Sequence, residues 1–220
     1  MTIKVVIFDL DGTLIVYKLK VYEAKEVFIK RLSEIGVDLN HISIHTPIIE
    51  IIEGINDLER EEIFKILDEV FSNFEEEAAE EAELREHVKE VLLELKKTGV
   101  KLAIASNNSM KSVEKSLEKT SIKEFFDIII TRNDVMDLKP SEKMITEILK
   151  MMKVTNKEAV YIGDTIYDIL AARRAGVKCI AVTGGANSKD LLFSHNPDYL
   201  VEDLREIPRI ISKLRDNNVN

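Results

Sequence analysis

Two hydrophobic rhythms alternate along the chain. Short, nearly unbroken apolar runs stand at 3–9 (IKVVIFD), 100–106 (VKLAIAS), 126–131 (FDIIIT), 159–164 (AVYIGD) and 178–183 (KCIAVT). They are β-rich and do not alternate with polar residues, so they predict parallel strands covered on both faces. Between the later runs, residues 109–119, 141–153 and 166–175 repeat apolar side chains at helical spacing, and Gly176 stands where a helix commonly stops. Strand alternating with helix predicts an α/β fold with a doubly wound, Rossmann-like parallel sheet, whose ligands gather at the carboxyl ends of the strands.

Residues 15–86 break this rhythm. Helical spacing predicts helices over 17–35, with Val21, Phe28, Leu32 and Ile35 on one side, then over 47–53 and 56–74. The stretch EEEAAEEAELREH at 75–87 continues the helical tendency with acid on nearly every face, and reads as a solvated helix. Residues 1–14 and 87–220 therefore read as the α/β core domain, and 15–86 as an inserted helical domain over the strand ends. The segment 36–56 is the stretch expected to face the site.

Composition narrows the function. The 220 residues are 45% hydrophobic and 32% charged, a soluble globular balance with room for one core and a smaller insert. A formal charge of -9 excludes a general basic field for nucleic acid or an anionic membrane, so any phosphate must meet a local positive site. Cys179 is the single cysteine, leaving no internal disulfide, and its apolar setting predicts a buried small hydrophobe. The opening VVIF is too short for a secretory signal, and no run reaches the roughly 18 apolar residues of a membrane span. The expected location is the cytoplasm, and abundant Lys and Glu with no Trp lean towards a thermophile.

The candidate chemistry sits at the strand ends. Asp9 and Asp11 leave the first strand two residues apart, a spacing that can point both the same way. Like charges that close raise one pKa or require a cation between them. Ser106 and Asn107 end the second strand, Asp164, Thr165 and Asp168 follow the fourth, and Lys139 precedes Pro140 and Ser141 at the mouth of a helix. In a parallel sheet these residues converge. His41 and His45 lack the further ligands of a zinc set and read as surface or loop residues, while Gly184 and Gly185 read as a turn.

In this order, Asp9-Leu10-Asp11-Gly12-Thr13, Ser106 closing VKLAIAS, Lys139 in LKPS and Gly163-Asp164-Thr165-Ile166-Tyr167-Asp168 resemble the four motifs of the haloacid dehalogenase-like superfamily, across the whole chain. The pattern is similar to the phosphoglycolate phosphatase and β-phosphoglucomutase branches, which implies that the insert is a C1-type cap. The resemblance implies Mg²⁺ held by the Asp9 carboxylate, the Asp11 backbone carbonyl and the Asp164 carboxylate, with Asp168 supporting from behind. It implies Asp9 as the nucleophile that becomes an aspartyl phosphate, and Asp11 as the acid and base for the leaving alcohol and the water. Ser106, the Asn107 backbone N–H and Lys139 would hold the phosphoryl oxygens, and Thr13 the turn after Asp11.

The function implied is hydrolysis of a small phosphorylated metabolite. A phosphomutase would use the same motifs, and a non-catalytic binding or regulatory protein the same fold. Asp11 argues against a dehalogenase, which lacks an acid there. LREHVKE stands where many phosphoglycolate phosphatases carry Pro-Gly, which weakens that substrate.

Overall fold

A computed structural model of the chain describes residues 2–16, 18–54 and 60–216. Strand β1 (Val5–Phe8) leads through a helical insert of α1 (Val21–Glu34), α2 (Ile48–Glu53) and α3 (Arg60–Glu80) into α4 (Val88–Lys97). The rest alternates as β2 (Lys101–Ser106), α5 (Met110–Lys119), β3 (Ile128–Thr131), the short α6 (Arg132–Val135) and α7 (Lys143–Met152). Then come β4 (Ala159–Gly163), α8 (Ile166–Ala175), β5 (Lys178–Val182), α9 (Lys189–Ser194), β6 (Tyr199–Val201) and α10 (Ile207–Asp216). The six strands form one parallel sheet in the order β3-β2-β1-β4-β5-β6, the order of a doubly wound sheet that reverses beside β1.

Strand side chains alternate between two cores, which is why the apolar runs are continuous. Val6 and Phe8 of β1, with Leu102 and Ile104 of β2, face α4, α5 and α10. Val5 and Ile7, with Ala103 and Ala105, face α7 and α8, where alanines let the helices approach closely. Cys179 is buried in that second core as a free thiol. A third core belongs to the insert, where Phe28 of α1 and Phe71 of α3 meet edge to face at 6.0 Å. Among the described residues no helix is long and apolar enough to cross a membrane.

The chain leaves the core and returns along paired segments. Val16 N–H donates to the Glu83 carbonyl at 2.9 Å, and Arg85 N–H to the Leu14 carbonyl at 3.0 Å, on either side of an antiparallel bridge between Ile15 and Leu84. The expected helices at 17–35 and 56–74 are α1 and α3, although residues 17 and 56–59 lie outside the described ones.

The acidic stretch departs from its reading as a solvated helix. The helix ends at Glu80, and Glu75 and Ala79 are buried because α3 continues down onto α5. There the Glu75 carboxylate accepts from the Ser109 N–H at 2.9 Å and from Arg132. The sequence also hid β6 and α4; β6 is only three residues long.

Candidate active site

β1 and β4 are neighbours at the centre of the sheet, so the residues that follow them emerge side by side. Asp9 is anchored by its N–H, which donates to the Ile162 carbonyl at 2.8 Å. Carboxylate oxygens of Asp9, Asp164 and Asp168 lie within 4.8 Å of one another, and all three residues are buried. The buried Lys139 ammonium reaches in from the β3 side. It donates to Asp9, to Asp168 at 2.8 Å and to the Tyr161 hydroxyl at 3.1 Å.

Asp168 has no free oxygen lone pair to spare. One oxygen accepts from Lys139 and from the Tyr161 hydroxyl at 2.9 Å; the other accepts from the Thr165 N–H at 2.9 Å and the Thr165 hydroxyl at 2.6 Å. Thr165 and Asp168 form a capping box that starts α8, so the helix itself fixes the carboxylate that fixes Lys139. Asn107 clamps the same lysine from its main chain, its Oδ1 accepting from the Lys139 N–H at 2.7 Å. The Ser106 hydroxyl, buried at the end of β2, accepts from the Asn108 N–H at 3.2 Å.

Asp164 is enclosed rather than paired. Its two oxygens accept from the Thr13 hydroxyl at 2.9 Å and the Ala186 N–H at 2.6 Å. A Cβ at Gly12 would stand 2.3 Å from one of its oxygens, and one at Gly185 would stand 2.2 Å away, so only glycine lets either loop close here. Thr13 thus reaches across to Asp164 as well as belonging to its own turn. Gly184 and Gly185 do turn the chain, but that turn also packs on the acidic cluster.

The electrostatics follow from burial. Desolvation lifts the Asp9 carboxyl well above its ordinary value; Lys139 opposes the rise, while Asp168 and Asp164 add to it. Desolvation and then Asp168 push Asp164 up to about 6. Burial alone would lower Lys139, but Asp168 and Asp9 outweigh it and hold it above an ordinary lysine. Asp11 stands outside the cluster, its carboxylate accepting from the Asn108 side-chain amide. Burial and then the Glu75 charge push it up to about 7.

Three buried carboxylates against one ammonium leave unbalanced negative charge, and the donors are all oxygen. With Asp168 fully engaged, the oxygens of Asp9 and Asp164 are the ones that suit a hard divalent cation.

A family profile described as haloacid dehalogenase-like hydrolase matches residues 6–182. The chain belongs to this family. Pyrophosphatase PpaX of Bacillus cereus is 27% identical over 234 residues, covering 97% of this chain and 99% of that protein. A protein of Caldanaerobacter subterraneus, provisionally named pyrophosphatase PpaX, is 29% identical over 219 residues, covering 96% of each. The fold is shared with a crystal structure of a predicted phosphatase from Clostridium acetobutylicum, with a TM-score of 0.72, 21% identity and coverage of 97% of this chain and 100% of that one. A predicted phosphoglycolate phosphatase from Haemophilus somnus also shares it, with a TM-score of 0.68, 22% identity and coverage of 96% and 98%.

Several participants in the site of this hydrolase were not apparent from the sequence. Asn108 directly follows Ser106 and Asn107, and that adjacency was its one signal. Tyr161 looked like a strand residue, yet its hydroxyl joins Lys139 to Asp168. Arg85, within the stretch read as a solvated helix, donates to the carbonyls of Gly12 and, at 2.6 Å, of Thr183, tying the returning chain to two site loops. His41 and His45 are both exposed; the His45 ring meets that of Tyr22 edge to face at 5.9 Å.

Proposed function

We propose that this chain is a Mg²⁺-dependent phosphatase that hydrolyses a small phosphomonoester through an aspartyl phosphate on Asp9. The observation that carries the reading is the Asp9 carboxylate, held on Lys139 and lining a cavity it shares with Asp11 and Ser106. Mg²⁺, held by the Asp9 and Asp164 carboxylates and the Asp11 carbonyl, supplies positive charge that offsets repulsion between the nucleophile and an anionic ester.

An Asp9 oxygen attacks phosphorus, the bond from phosphorus to the alcohol oxygen breaks, and Asp11 gives that oxygen its proton. Water then attacks the phosphoryl group while the Asp11 carboxylate takes a water proton. The bond to Asp9 breaks, inorganic phosphate leaves, and both aspartates return to their starting states. A pKa of about 7 populates both forms of Asp11 near neutrality, as a group that must give and take a proton requires. Lys139 and the Ser106 hydroxyl hold the phosphoryl oxygens as charge moves through the transition state.

The test is release of phosphate from a generic aryl phosphate, with and without Mg²⁺, alongside Asp9→Asn. Mg²⁺-dependent release that disappears in the variant supports the reading. Undiminished turnover by Asp9→Asn removes Asp9 from its role. No release by the native chain points to the mutase alternative, in which the phosphoenzyme waits for a sugar phosphate.

A further inference from the structure

The cavity above Asp9, of about 450 Å³, has two unlike ends. Asp9, Asp11, Ser106 and Lys139 make a polar floor. The insert supplies an apolar roof from Val21, Ile48 and Ile49, with Leu67 and Phe71 of α3. Leu138, next to Lys139 in the chain, adds a core-side apolar wall that packs with the insert's own core.

The charge lining is as one-sided as the shape. Lys139 is already engaged by Asp9 and Asp168. Among the described residues, the insert brings one lysine or arginine to the lining, Lys25. Its ammonium donates to the carbonyls of Ile44 at 2.9 Å and Thr46 at 2.8 Å, so two of its three N–H groups hold the turn before α2. The acids on the lining are Asp9, Asp11 and Glu75, the last paired with Arg132. A leaving group carrying a carboxylate or a second phosphate would lose its water against this roof, where the insert's described residues offer only the third N–H of Lys25 and the exposed His45 ring in exchange. An apolar leaving group would gain by the same transfer.

We propose that the substrate is a phosphomonoester whose leaving alcohol carries an uncharged, largely apolar body, seated between α2 and α3 while its phosphate meets Asp9. This rests on the phosphatase reading above. It sets the chain apart from relatives named pyrophosphatases, for which the leaving group is itself a phosphate.

The experiment measures kcat/KM of the Mg²⁺-loaded native chain for the n-alkyl phosphates from ethyl to hexyl, for pyrophosphate and for phosphoglycolate. The alkyl series holds leaving-group chemistry nearly constant while apolar area grows. The expected result is a rise of about fourfold per added methylene, with hexyl phosphate turned over faster than either charged substrate. Ile48→Lys, at a partly exposed roof position, is expected to shift the ratio of hexyl phosphate to phosphoglycolate by about tenfold or more towards the charged ester. A flat alkyl series, or preference for pyrophosphate or phosphoglycolate, overturns the inference and leaves the phosphatase reading standing. Absence of hydrolysis with every ester, the aryl phosphate included, overturns both.

Discussion

Arg132 and Glu75 form a buried ion pair that fastens the helical insert to the core, with guanidinium-to-carboxylate contacts of 2.5 Å and 3.1 Å. Arg132 also donates to the Asn107 carbonyl at 2.8 Å, so the same group reaches the loop that clamps Lys139. Removing Glu75 leaves Arg132 with the half-exposed Asp68, 2.9 Å away, as its remaining acid partner, so the loss is expected at the low end of the about 3–5 kcal/mol typical of a broken buried pair. Glu75→Gln is expected to lose about 3 kcal/mol in urea unfolding. The double variant Glu75→Leu with Arg132→Met is expected to recover most of it. A loss below about 0.5 kcal/mol in the single variant would show that the pair does not fasten the two parts.

Lys139 balances two buried acids, so its removal acts twice. Lys139→Ala is expected to lower kcat by about 10²-fold or more, through loss of charge on the transferring phosphoryl group. It is also expected to lower stability by about 3 kcal/mol, since Asp9 and Asp168 lose their shared cation. Tyr161→Phe separates the two effects. It keeps the ammonium and deletes only the hydroxyl between Lys139 and Asp168, for an expected loss of about 1 kcal/mol. Kinetics and urea unfolding on both variants check this; unchanged rate and phosphate affinity in Lys139→Ala would remove it from the site.

Five strands were legible because a strand covered on both faces must be apolar throughout, and Val6 and Ile7 facing opposite cores show the cause. Asp9 and Asp164 were legible because each follows a strand whose end the pattern marks, and Lys139 because it precedes Pro140 and Ser141 at the mouth of a helix. Glu75 was not. It sits in a run of acid that would be solvated on any isolated helix, and Arg132, 57 residues away, together with the Ser109 N–H makes burial tolerable. Arg85 was hidden for the same reason, its carbonyl partners being Gly12 and Thr183. β6, YLV, is too short for any periodicity to register.

Asp127 gives a pH signature outside the site. Burial raises its pKa, but Lys101 at 2.7 Å, the Leu102 N–H at 3.0 Å and Lys96 at 2.9 Å outweigh this and bring it down to about 2. A carboxyl lowered on folding contributes stability that is present above its unfolded pKa of about 4 and lost as pH falls through its folded value. Asp127→Asn is expected to be less stable than the native chain by about 1 kcal/mol at pH 7, the exposed lysines and solvent screening keeping the figure small. That gap is expected to narrow between about pH 4 and pH 2. Urea unfolding across this range checks it, and a gap that stays constant down to pH 2.5 would contradict it.

Gly185 tests whether Asp164 must be closely enclosed. The loop after β5 lays Gly185 against this carboxylate, and the following residue, Ala186, donates its N–H to it at 2.6 Å. A methyl group 2.2 Å from the carboxylate oxygen cannot be accommodated without moving the loop or the carboxylate. Either movement disturbs an oxygen expected to hold the metal. The position lies beside the site and outside the three hydrophobic cores, so global stability has little to lose. Gly185→Ala is therefore expected to raise the Mg²⁺ concentration needed for half-maximal activity by about tenfold, the scale seen when groups supporting metal ligands are altered. Its unfolding free energy is expected to stay within about 1 kcal/mol of the native chain. Metal titration of activity beside urea unfolding distinguishes the outcomes. An unchanged metal requirement would mean that Asp164 tolerates displacement, and that its enclosure by glycine serves packing rather than metal binding.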